Sequence, residues 1–94
     1  MRFIWEERKS RRNLAKHKVS FETATLVFDD PRAISRLDRI EHGEERWQTL
    51  GLAGGIVVLL VAHTYYDEDG EEVSRIISAR KATPHERKMY EQGV

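Results

Sequence analysis

The apolar run IVVLLVA at 56–62 constrains this chain more than any other stretch. A bilayer-spanning helix needs about 20 apolar residues, so this run is too short to cross a membrane. Four to eight apolar residues rich in valine and isoleucine, set between turn signals, form a buried strand. The turn signals are Gly54-Gly55 before the run and DEDG at 67–70 after it. The strand is therefore expected over IVVLLVAHTYY, entered from ERWQTLGLA through a glycine hairpin and left through DEDG into EVSRIISAR.

Elements on either side follow from local chemistry. RFIW makes a first strand and RAISRLD a second. EERKSRRNLAKH has helical composition, with Arg8, Lys9, Arg12 and Lys16 on one side and Leu14, flanked by Ser10 and His17, on the other. VSFETATLVFDDP makes a second helix. Ser20 is its N-cap, Phe21, Ala24 and Phe28 recur at helical spacing, and Pro31 ends it. Thr83, Pro84 and Glu86 form a capping box that opens a last helix. The expected order is β-α-α-β-β-β-β-α in one domain spanning 1–94. Its class is α+β, with helices packed on a mostly antiparallel sheet. A chain of 94 residues buries roughly 60 to 65% of its unfolded surface, enough for one such core.

The formal charge is zero, but it is unevenly distributed. Residues 1–20 carry seven Lys/Arg against two Glu, residues 21–72 four Arg against twelve Asp/Glu, and residues 73–94 five Lys/Arg against two Glu. Basic ends brought together would make a surface for polyanions; a solvated, salt-bridged surface explains the same counts. Arg8, Arg12 and Lys16 recur at i, i+4 and i+8, where like charges cost a helix about 0.2–0.5 kcal/mol per pair. A stripe that opposes its own helix suits a polyanionic partner. Cysteines are absent and MRFIWEERKS has no signal-peptide core, both fitting a cytoplasmic protein.

No phosphate-binding loop, dinucleotide fingerprint or nucleophile elbow occurs. His17, His42, His63 and His85 show no metal-ligand spacing, so no metal site or cofactor is expected. His63 falls inside the apolar strand as a core residue, and Trp47 and Tyr90 suit core packing better than stacking on a base. What remains is the arginine-rich end of the last strand. Alternation sends Arg75, Ile77 and Ala79 to one face and Ile76, Ser78 and Arg80 to the other, unless a bulge intervenes. Arg80 and Lys81 also precede a helix N-terminus, which favours anions. Such a site could hold an RNA phosphate. Read structurally, Arg75 pairs with an acid of the middle segment and Arg80 closes a strand; the residues alone favour that reading.

Three stretches, FIWEERKSRRNLAKHKVSFETATLVFDDP, HGEERWQTLG and RIISARKATPHERKMYEQG, resemble the BrnT family of ribonuclease toxins from type II toxin–antitoxin systems, in family order and spacing. After KH the family pattern has Gly where this chain has Lys18, and a left-handed residue suits Gly better. The resemblance implies a RelE-like fold and a metal-independent endoribonuclease. In that chemistry an RNA 2′-hydroxyl attacks the adjacent phosphate, which requires a base, an acid and cations. It casts Arg80 and Arg46 as the cations, with Arg75 as an alternate, Glu45 or His42 as the base, and Lys81 as a backbone anchor beside Arg8, Arg12 and Lys16. It also implies an RNA substrate and a BrnA-like ribbon-helix-helix antitoxin, with DNA bound only through the toxin–antitoxin complex. The rival reading is a non-catalytic module that binds nucleic acid or a protein partner.

Overall fold

In a computed structural model that describes residues 1–93, the central apolar run lies in the middle of a sheet. The strands are β1 (Arg2–Ile4), β2 (Ile34–Glu41), β3 (Glu44–Ala53), β4 (Val57–Thr64), β5 (Tyr66–Glu68) and β6 (Glu71–Lys81). The helices are α1 (Glu7–His17), α2 (Phe21–Thr25) and α3 (Pro84–Gln92), with a 3-10 turn over Leu26–Asp29. Strand order is β1-β6-β4-β3-β2, and β5 pairs with β6. Only β1 runs parallel to its neighbour. No helix among the described residues is long and apolar enough to cross a membrane.

Two expectations about element limits are corrected. The strand expected through Tyr66 breaks at Tyr65 into β4 and β5, so the sheet has six strands and the order becomes β-α-α-β-β-β-β-β-α. Just before the break comes a register shift, in which Ala62 pairs with Ser78 but His63 pairs with Ile76. Ile77 is thus an extra residue in β6, and side chains take over there from the backbone ladder. Thr64 Oγ1 accepts from Arg75 N at 3.0 Å, and the Thr64 carbonyl accepts from the Ser74 hydroxyl. The second helix is also shorter than expected. It tightens to 3-10 geometry after Thr25, and Asp30 is extended ahead of Pro31, as proline demands of its predecessor.

The two faces of the sheet carry separate cores. One buries Val19, Phe21, Ala24, Val27, Leu59, Val61, Ile76 and Ala79 beneath α1 and α2. The other holds Leu50, Leu60, Ala82 and Tyr90 beneath α3. Val27 comes so close to β3 that a Cβ on Gly51 would lie 2.5 Å from Val27 Cγ1. Asp30 ties the two layers together, because its Oδ2 accepts from Leu52 N and from the Tyr90 hydroxyl, while Oδ1 accepts from Arg32 N. Burial works to raise the Asp30 pKa, and these hydrogen bonds outweigh it, leaving the carboxyl below its ordinary value.

Helix α1 seats on the sheet through polar groups. The side of α1 opposite the basic residues does not bury its leucine: Leu14 is 48% exposed, whereas Ser10 and Asn13 are buried. Asn13 Nδ2 donates to the carbonyls of Val19 and Ala79, each at 2.8 Å, and its Oδ1 accepts from Ala79 N. The amide thus pairs with the free edge of β6 as another strand would. Ser10 Oγ accepts from Phe21 N at 3.0 Å. Asn13 wins over Leu14 because an unpaired backbone group at a buried edge costs more than one exposed leucine.

Two opposite stability changes are expected. Asn13→Asp turns a donor into an acceptor facing two carbonyls and should lower stability by about 2–4 kcal/mol. Lys18 holds φ 63 at the C-cap of α1, so Lys18→Gly should raise stability by about 0.5–1 kcal/mol. Urea midpoints at constant m-value measure both. An Asn13→Asp midpoint equal to wild type would remove the amide from its anchoring role.

Candidate active site

The bulge at Ile77 decides which arginines meet. Cross-strand partners share a face of the sheet. Arg80 pairs with Leu60, which pairs with Leu50 in the core beneath α3. Ile76 pairs with His63, on the opposite face. Its neighbour Arg75 therefore returns to the Leu60 face, as does Arg46, whose partner is Thr64. Simple alternation had separated Arg75 from Arg80; the extra residue puts Arg46, Arg75 and Arg80 on one face. A second register shift, at Asp38, aligns Arg39 with Arg46 and keeps Arg36 opposite Gln48, adding two arginines that the sequence reading missed.

Glu44 organises the first pair. Its Oε1 accepts from Arg75 Nη2 at 2.9 Å and lies 3.4 Å from Arg46 Nε. Arg46 Nε is buried without a hydrogen-bond partner, so that ion pair is close in distance but poorly aligned. A cleft of about 290 Å³ opens here, lined by Arg46, Arg75, Ile77 and, from the start of α1, Glu6 and Lys9. Helical spacing sets Arg12 and Lys16 near the side of α1 that carries Lys9; both are exposed, as is Arg8, which is turned further round.

Arg80 is held differently. Its Nη1 and Nη2 donate to Glu86 Oε1 and Oε2 at 2.7 and 3.0 Å, a bidentate pair. Glu86 also accepts from Thr83 N and closes the expected capping box. The Arg80 hydrogen bonds are the main cause that lowers the Glu86 pKa to about 2. The same carboxylate pushes the Arg80 pKa above its ordinary value. Lys81 pairs with Leu59 and so turns to the other face.

The remaining candidates do not join this group. His42 is exposed at the tip of the β2–β3 hairpin with φ 54, next to Gly43. Glu45 projects from the opposite face of β3, where it accepts from Trp47 Nε1. Strand alternation alone would have identified Glu44, which shares a face with Arg46 while Glu45 does not. His63 is buried as expected, 2% exposed. Its Nδ1 donates to the Thr64 carbonyl, leaving Nε2 to accept from Thr49. Burial pushes its pKa down, which keeps the ring neutral. Tyr90 is buried and Trp47 half-buried. No three His, Asp or Glu side chains converge as a metal cage among the described residues.

Residues 5–86 match the family described as the ribonuclease toxin, BrnT, of type II toxin–antitoxin systems. The fold is similar to the crystal structure of the Brucella abortus ribonuclease toxin, BrnT, with a TM-score of 0.59 and 22% identity, over 88% of this chain and 97% of the other. At that identity the likeness concerns the fold. No curated protein sequence matches the chain significantly.

The Arg80–Glu86 pair has a pH signature. The folded Glu86 pKa, about 2, lies below its ordinary value of 4.5, so the folded state binds fewer protons. Its stabilisation is complete above pH 4.5 and is lost as pH falls toward 2. Wild type should melt above Glu86→Gln at pH 7, and the gap should close between those two limits. A gap that stays constant down to pH 2.5 would show that ionisation of Glu86 is not what separates the two proteins.

Proposed function

Because the chain belongs to the BrnT family of ribonuclease toxins of type II toxin–antitoxin systems, we propose that it cleaves RNA over the Arg46–Arg75 cleft by metal-independent attack of a 2′-hydroxyl on the adjacent phosphate. The observation that carries this reading is the shared carboxylate. Glu44 holds Arg75, while Arg46 keeps a buried donor without a partner. An incoming phosphate offers Arg75 and the part of Arg46 that lines the cleft stronger acceptors, since guanidinium and phosphate form paired charge-assisted bonds. As the phosphate takes over the guanidinium groups, the Glu44 carboxylate is released beside it, placed to accept the 2′-hydroxyl proton.

In this proposal Arg46 and Arg75 face the charge that develops on the phosphorane, where preorganised donors are most effective. Lys9, Arg12 and Lys16 hold the strand beyond the cleft through its phosphates, with Arg8 farther along the helix. Arg80 acts at one remove, through Glu86. An antitoxin of the ribbon-helix-helix type is the proposed partner, and DNA binding belongs to the complex. A RelE-like mechanism is proposed on the same terms.

Purified protein should cut RNA in EDTA, spare DNA of the same sequence and leave cyclic-phosphate ends. Arg75→Ala and Arg46→Ala should each slow single-turnover cleavage by roughly 10²–10³-fold, with Glu44→Gln slowed comparably. Arg75→Lys should recover part of the loss, since an ammonium lacks the paired fork. Cleavage that stops in EDTA and returns with magnesium would defeat the metal-independent route. Full activity in both arginine variants would move the site elsewhere.

A further inference from the structure

Next to the arginine cluster, α3 leaves a gap over the sheet. Ile34, Leu50, Leu60 and Met89 wall a pocket of about 150 Å³; an apolar cavity of that size holds one aromatic ring, so a purine would seat one of its two rings and leave the other at the mouth. It shares the face of the cleft. Along β3 the side chains on that face run Arg46, Gln48, Leu50, and at about 3.4 Å per residue Gln48 is roughly 7 Å and Leu50 roughly 14 Å from Arg46. A strand of nucleic acid anchored at Arg46 and running along β3 would reach the pocket within one or two nucleotides.

The polar lining comes from Ser35, Arg36, Gln48 and Glu86. Arg36 Nε and Nη2 both donate to Gln48 Oε1, at 3.3 and 3.1 Å, which fixes the guanidinium and leaves Nη1 for an outside acceptor. Glu86 Oε1 accepts from both Arg80 Nη1 and Thr83 N, but Oε2 only from Arg80 Nη2. Oε2 therefore retains a lone pair. Apolar walls, a donor and an acceptor beside a cationic track match a flat base on a phosphate chain. Guanine fits best, since its adjacent O6 and N7 form the acceptor pair that arginine contacts most often, and its N–H donors remain for the Glu86 carboxylate. An apolar side chain of a protein partner would fill the walls and leave the rim donor and acceptor unmatched.

We propose that this pocket takes a nucleobase, guanine by preference, of the RNA whose phosphate lies over Arg46 and Arg75; the proposal rests on the ribonuclease reading above. Arg36 is then a specificity residue, and Arg80 a positioning residue that orients Glu86.

The test is a pool of RNAs randomised around the cut, read by sequencing the new 5′ ends, with wild type, Arg36→Ala and Met89→Phe in parallel. Guanine should be enriched about tenfold at one position within two nucleotides of the cut. Each variant should reduce that to about twofold or less. Enrichment is a ratio within one sample, so a smaller folded fraction does not alter it. A flat wild-type profile, or guanine enrichment unchanged in both variants, overturns the proposal while leaving the ribonuclease reading intact. Variants that keep the profile but lose antitoxin in a pull-down overturn it in favour of a protein side chain. If wild type cuts nothing, the ribonuclease reading fails. Selection from an uncleavable 2′-O-methyl RNA pool then decides the pocket: guanine selection lost in Arg36→Ala supports it, and no selection overturns it.

Discussion

One unpaired residue in β6, Ile77, sets both what the core receives and what the surface displays. Without it, a strict two-residue repeat would send Ile76 and Ala79 to opposite faces. The bulge lets both enter the core beneath α1 and α2, and by the same shift carries Arg75 across to the face of Arg80 and Arg46. The cost is a broken ladder, and the chain offsets it locally. Thr64 accepts from Arg75 N through its hydroxyl, while His63 and Ser74 serve the Thr64 carbonyl. Buried backbone groups must find partners somewhere, and these three side chains supply them. The neutral His63 is thus part of the structural answer to the bulge, on the side away from the arginines.

Beyond the short pairing with β1, the outer edge of β6 is closed by a helix rather than by another strand. Asn13 mimics a strand at Ala79, and so α1 lies where its first turn brings Lys9 to the cleft. Anchoring and function are coupled through that geometry. The side of the helix that satisfies backbone groups is small and polar, which frees its remaining surface for the basic stripe. A helix with this composition would be weak alone, since its like charges repel; contact with β6 and α2 supplies what the local sequence withholds.

Across the sheet face, carboxylates hold the arginines in two distinct ways. Glu44 spans Arg75 and Arg46 with imperfect alignment to the second. Glu86 grips Arg80 with both oxygens and is itself fastened by the capping box, so it resists displacement. The difference distinguishes two guanidinium groups that share one carboxylate from one committed to holding a helix and a pocket wall. Formal charge counts cannot make that distinction, because both arginines sit opposite a glutamate in a partly exposed setting.

Features governed by a few adjacent residues were legible in the sequence. The apolar run reads as a central strand because it is short, rich in β-branched residues and set between turn signals; its centre, Leu59, Leu60 and Val61, is buried, while Ile56 stays exposed in the turn. Gly54-Gly55 reads as a hairpin, and Thr83-Pro84-His85-Glu86 as a helix start, because those turns depend on local backbone freedom and local donors. The family resemblance carried the functional class. Tertiary structure decided the rest. Whether β6 bulges depends on β4 beside it, and whether Asn13 or Leu14 faces inward depends on an unpaired edge 66 positions away. Which glutamate meets the arginines follows from strand register. These choices are made by satisfying buried backbone groups across the fold, a constraint that no window of neighbouring residues contains.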